Sequence, residues 1–198
     1  MARTETEAVD SYVSDMLALE EHIAEVFGAQ IQELGDKHPV VVRELGRCRS
    51  VVLNHIQALR KVRKVGDPHV TGRIAGAIKK AGTLAAGLGA GAIDLLRMER
   101  AAKALRDGYT AASLASIGYG MLYATAVLLN DEMVGFLAER HLREYASMTM
   151  SLLRLMPRTV LESLEERGLA VHDEALAGIN RSLSAVWNPA ADATPQPA

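Results

Sequence analysis

The chain is poor in the residues that commonly announce chemistry. Of its 198 residues one is cysteine, Cys48, so an intramolecular disulfide is excluded and a reducing compartment fits. Two Phe and one Trp leave little aromatic bulk for a core. Three of the six prolines fall in the last eleven residues, NPAADATPQPA, which have no apolar periodicity and read as a disordered tail, 188–198. The formal net charge is −2, which gives no electrostatic basis for binding nucleic acid. The opening MARTETEAVD lacks the apolar stretch of a secretory signal, so the expected location is the cytoplasm. There is no G-x-G-x-x-G after a strand, no Walker loop, no G-x-S-x-G and no C-x-x-C. GLGAG at 87–91 has the wrong spacing for a phosphate loop. No internal repeat is evident.

What is present is aliphatic and periodic. Apolar residues make up 49% of the chain and charged residues 23%, enough for a sizeable core of Leu, Val, Ile, Ala and Met. The apolar spacing of three and four predicts an all-α antiparallel four-helix bundle spanning 6–187 as one domain, with core helices at about 6–34, 39–64, 109–130 and 132–156. Thr4 and Glu7 suit a capping box before the first helix. Pro39 opens the second, and Lys61, Arg63 and Lys64 close it where positive charge complements the helix dipole. Pro157 is expected to break or kink the fourth helix. A short helix to Gly168 and a last helix, started by Asp173 and ending near Trp187, should follow. Residues 70–96 are rich in Gly and Ala and read as a partly helical crossover. Gly108 to Asn130 carries no charge and is long enough to span a bilayer. Its Tyr, Thr, Ser and Gly favour a helix buried on all sides within a bundle instead.

Against this pattern a few polar residues occupy core positions. Glu20 stands between Met16 and Ile23 on the inner stripe of the first helix. His55 stands between Val52 and Leu59 on that of the second. His141 and Glu144 lie between Leu137 and Met148 on the fourth, and Tyr119 and Tyr123 add hydroxyls from the third. A buried carboxylate is costly unless it is paired, protonated or bound to a metal, and inward Glu and His from several helices are how bundles build metal sites. The alternatives are a buried ion pair or side chains that reach water at a helix edge. Cys48 reads as a small core residue.

DMLALEEHI, Asp15 to Ile23, resembles the first-helix segment of the YciE/YciF-type ferritin-like stress proteins, where a run like D-L-Y-x-A-E-K-Q-L supplies a metal carboxylate at the place of Glu20. IGYGMLYATAVLLNDEMVGFLAERHLREYASMTMSLL, Ile117 to Leu153, is similar to the family's third and fourth helices and sets Glu144 on the fourth-helix carboxylate. The likeness covers roughly residues 8–156. It implies a ferritin-like fold with Glu20 and Glu144 on the family's ligand positions; the core-facing His141 and His55 join them in the candidate metal set. It also implies losses: Cys48 and Val51 fall on the family's second-helix H-x-x-E pair, and Ala112 and Ala115 on its two third-helix Glu. A one-turn shift of the second helix brings His55 into the ligand layer. The resemblance therefore implies a degenerate site in a non-catalytic, stress-associated binding or interaction module, acting as a homodimer. The alternative is a metal-binding protein of oxidative-stress defence holding iron, manganese or zinc. A second alternative is membrane-surface association through residues 70–93, where Arg73, Lys79 and Lys80 interrupt an apolar stretch.

Overall fold

The computed structural model describes residues 5–63 and 100–187, and every element among them is helical. We number the α-helices α1 (Glu5–Leu34), α2 (Pro39–Arg63), α3 (Arg100–Leu128), α4 (Glu132–Glu166) and α5 (Leu176–Trp187), with short 3-10 turns at Gly35–Lys37 and Asp173–Ala175. Thr4, the Gly/Ala-rich stretch 70–96 and the tail 188–198 lie outside the described residues.

Cross-helix contacts fix the directions. Arg49 Nε donates to the Ala24 carbonyl at 3.1 Å and Arg60 reaches Glu21 at 2.7 Å, so α1 and α2 run antiparallel. Met16 lies against Gly118, and Arg100 faces Glu33 at 3.8 Å, so α1 and α3 are also antiparallel. Ser151 donates to Glu44 at 2.5 Å, which sets α4 against α2. Helices α2 and α3 therefore run parallel, and the end of α2 and the start of α3 lie at opposite ends of the bundle. Gly108 lets the helices close on one another there. A Cβ at that position would sit 3.0 Å from Phe27 of α1, 3.5 Å from Leu152 of α4 and 3.7 Å from Leu45 of α2.

The inner stripes are those the periodicity marks. Val13, Ile23, Phe27, Leu45, Cys48, Val52, Leu59, Leu122, Met148 and Leu152 are all buried. Three expectations need correction. Helix α3 is already formed at Arg100, the first described residue of this stretch, rather than starting near Tyr109, because Ala101, Ala102, Ala104 and Leu105 bury a further apolar turn within the charged stretch. It is also not buried on all sides: Leu114, Ile117, Met121 and Leu128 are exposed, since an outer helix packs its neighbours with one face only. By length and composition it is long and apolar enough to cross a membrane. Finally, Pro157 neither breaks nor ends α4, which continues to Glu166. Buried Thr159, Leu161 and Ser163 anchor the turns beyond the proline, so packing outweighs the lost backbone hydrogen bond.

The ends of the α3–α4 hairpin and of α4 use left-handed residues. Asn130 (φ 57°) leads to Asp131, whose carboxylate accepts from the Val134 N–H at 3.0 Å and caps α4. Gly168 (φ 73°) ends α4, with the Leu169 N–H returning to the Leu164 carbonyl at 3.1 Å.

Candidate metal centre

The four bundle helices bring one polar side chain after another to a single layer. Glu20 of α1 and His141 of α4 are fully buried, and His55 of α2 is 1% exposed. Glu20 is saturated with donors. The Tyr119 hydroxyl donates to its Oε1 at 2.5 Å, the Tyr145 hydroxyl to its Oε2 at 2.6 Å, and His55 Nδ1 lies 2.9 Å from Oε1. The other nitrogen of His55, Nε2, bonds to Glu144. His55 thus bridges the two carboxylates, one ring nitrogen to each.

His141 stacks on His55, ring centroids 3.8 Å apart and planes inclined by 18°. Its Nε2 lies 3.5 Å from the Arg140 guanidinium, at the limit of a hydrogen bond, and its buried Nδ1 has no partner. Burial first, then the positive charges of His55 and Arg140, pushes the His141 imidazole down to about 3, so it is neutral at ordinary pH. Burial and the adjoining Glu20 carboxylate hold both phenols well above their usual range, as neutral donors. Tyr119 and Tyr145 stack with centroids 5.7 Å apart and, with Tyr119 edge-on to His141 at 5.0 Å, wall the layer.

All four residues read from sequence as metal ligands meet here, and ligand-type atoms of Glu20, His55 and His141 lie within 4.8 Å of one another. Glu144 sits differently from expectation. Its side chain is 43% exposed, so it stands at the rim rather than in the core. The register that set Cys48 in the ligand layer is displaced: Cys48 lies two turns before His55 and faces Glu44, with Sγ 3.7 Å from Oε1. Burial, then Glu44, pushes its thiol up to about 12, which suits an inert core residue. Tyr123 is 37% exposed and does not reach Glu20. Tyr145 is a participant that the apolar periodicity does not single out. The signal that marks it is chemical, since a phenol on a core face needs a hydrogen-bond partner.

No family model matches the chain, and no curated protein matches it. Among solved structures, the chain is similar to protein XCC3681 from Xanthomonas campestris pv. campestris, with a TM-score of 0.64 at 14% identity, over 83% of this chain and 99% of that one. A likeness at that identity is one of fold alone, and it extends over nearly the whole of the neighbour.

Proposed function

We propose that this protein is a ferritin-like bundle that binds one transition-metal ion through Glu20, His55 and His141, with Glu144 completing the set from the rim. The observation that carries this reading is His141 Nδ1, a buried nitrogen with no partner, set among two other ligand-type side chains. A neutral imidazole with an unpartnered nitrogen, a second imidazole and carboxylate oxygens form a mixed N/O set that suits iron, manganese or zinc better than calcium. The parallel course of α2 and α3 supports the ferritin-like part of the reading.

The chain's own residues have separable tasks. Tyr119 and Tyr145 orient Glu20 by holding one oxygen each, as outer-shell donors do around metal sites. Burial keeps His141 unprotonated and free to donate its lone pair. His55 links the buried carboxylate to Glu144, the member of the set that meets solvent. A bound ion would supply Lewis-acid or one-electron chemistry at this layer. Use in oxidative-stress defence is the expectation attached to the resemblance.

A second reading rests on Glu20 itself. With three donors on its two oxygens, the carboxylate is satisfied by protein alone, and the layer then is a polar core of a non-catalytic interaction module. Metal analysis separates the two. Protein purified from cells supplied with iron, manganese and zinc should carry near-stoichiometric metal, lost in Glu20→Ala and His141→Ala. Metal at trace level in the unaltered protein, unchanged by either substitution, overturns metal binding and leaves the polar core.

A further inference from the structure

The outward face of α3 carries an apolar row that the buried polar layer does not use. We infer that this row is a two-fold interface, on which a second copy of the chain lays its own α3 antiparallel. Leu114, Ile117, Met121, Ala124 and Leu128 follow one another at three, four, three and four residues, and all are exposed. That alternation is the seam of paired helices, and it lies apart from the inner stripe of α3, which is already buried in the bundle. No charged residue occurs from Gly108 to Asn130, so two such faces meet without ionic repulsion. The row is also self-complementary. A two-fold axis at Met121 sets Leu114 of each copy against Leu128 of the other, and Ile117 against the small Ala124. Met121 then meets its own counterpart, with a flexible side chain suited to the axis.

The apolar surface is of the size that a dimer needs. Val127 joins the row to the start of α4: a Cβ at Gly135 would lie 3.6 Å from it, and Phe136 follows. Leu114, Ile117, Met121, Val127, Leu128 and Phe136 keep 50–79% of their surface exposed. Together they hold on the order of 600 Å² of apolar surface. That is the top of the range for the largest patch on an ordinary monomer. The backbone and small residues among them bring it toward the figure of about 800 Å² per partner in a standard interface. Lipid is the less fitting occupant, because Asp131 and Glu132 stand at the tip beyond Leu128, the wrong sign for an anionic membrane surface.

The test uses the full chain. Sedimentation equilibrium at about 100 μM should give a dimer. Met121→Cys should cross-link to itself under mild oxidation, whereas the unaltered chain should not, because its Cys48 is buried in the core. Leu114→Cys and Leu128→Cys should each fail to cross-link alone and cross-link when mixed. In the antiparallel pair the two copies of either position lie about 21 Å apart, beyond the reach of about 7 Å between disulfide-bonded Cα atoms. Cross-linking of Leu114→Cys to itself overturns the antiparallel arrangement. A monomer at that concentration overturns the interface, and the row's other occupants are then told apart. Slow reaction of the Met121→Cys thiol with a thiol reagent places residues 64–99 on the row. Co-sedimentation with vesicles of phosphatidylcholine and phosphatidylglycerol, lost in Ile117→Glu, places lipid there.

Discussion

At the scale of single residues, the buried layer works by satisfaction of one carboxylate. Removing the Tyr145 hydroxyl, with its 2.6 Å bond to Glu20, leaves Oε2 without that donor in a site water does not reach. Tyr145→Phe is therefore expected to lower stability by about 1–3 kcal/mol in urea unfolding. An unchanged midpoint would show that Glu20 finds another partner. His141 gives a pH signature. Its folded value is about 3, below the ordinary imidazole value of 6.5, so the unfolded chain binds the proton more readily between these limits. The stability tied to its neutral form is fully present above the upper value and is lost as pH falls toward the lower one. In chelator-treated protein, His141→Phe should flatten the decline of stability with acid across that window while keeping a ring against His55. Much of this site was legible from residue type alone: Glu20, His55 and His141 violate the apolar stripe, and a violated stripe marks a buried polar group. The rim position of Glu144 was not legible, because helical spacing of three from His141 fixes a face only to within a wide angle. That angle spans both the core and its edge.

At the scale of elements, the helices are set as much by small residues as by large ones. A Cβ at Gly108 would meet three helices, with Phe27 at 3.0 Å, whereas a Cβ at Gly120 meets nothing within 4 Å. Gly108→Ala should cost about 1–3 kcal/mol by forcing α1 from α3. Gly120→Ala should stabilise by about 0.5–1 kcal/mol, because alanine loses less freedom in a helix interior. Thermal unfolding of the two variants checks both signs, and equal effects would mean that neither glycine is placed by packing. Helix existence was readable from apolar periodicity, and the stripes of α1, α2 and α4 correspond to the observed core. Helix ends were less readable where packing overrode local preference. Pro157 is a breaker by its own chemistry, yet α4 passes through it because Leu161 and its neighbours are held on the far side. The turn of α3 from Arg100 was obscured by its charges, which occupy the side of the helix away from Ala101 and Leu105.

At the scale of the whole molecule, the outward face of α3 carries a row of exposed apolar side chains. Leu114, Ile117, Met121 and Leu128 repeat at three, four and seven residues along it, from 50% to 79% exposed. Sequence reading expects a homodimer. Ile117→Glu, at a side chain 67% exposed, should leave the unfolding free energy within about 0.5 kcal/mol. It should also lower the weight-average mass in sedimentation. An unchanged mass would place self-association elsewhere.

The parallel course of α2 and α3 has a kinetic consequence. Glu20 and His55 belong to the first helical hairpin, and Tyr119, His141, Glu144 and Tyr145 to the second. Each hairpin closes through a short turn, but docking the two must wait on a much longer closure between Arg63 and Arg100. The bonds from Tyr119 and Tyr145 to Glu20 are thus formed late, after the rate-limiting barrier. Stopped-flow measurements should find that Tyr119→Phe and Tyr145→Phe speed unfolding and barely alter refolding, with φ near 0. The polar layer would then act as a latch on the assembled bundle: closed last, opened first, and setting how long the native state survives.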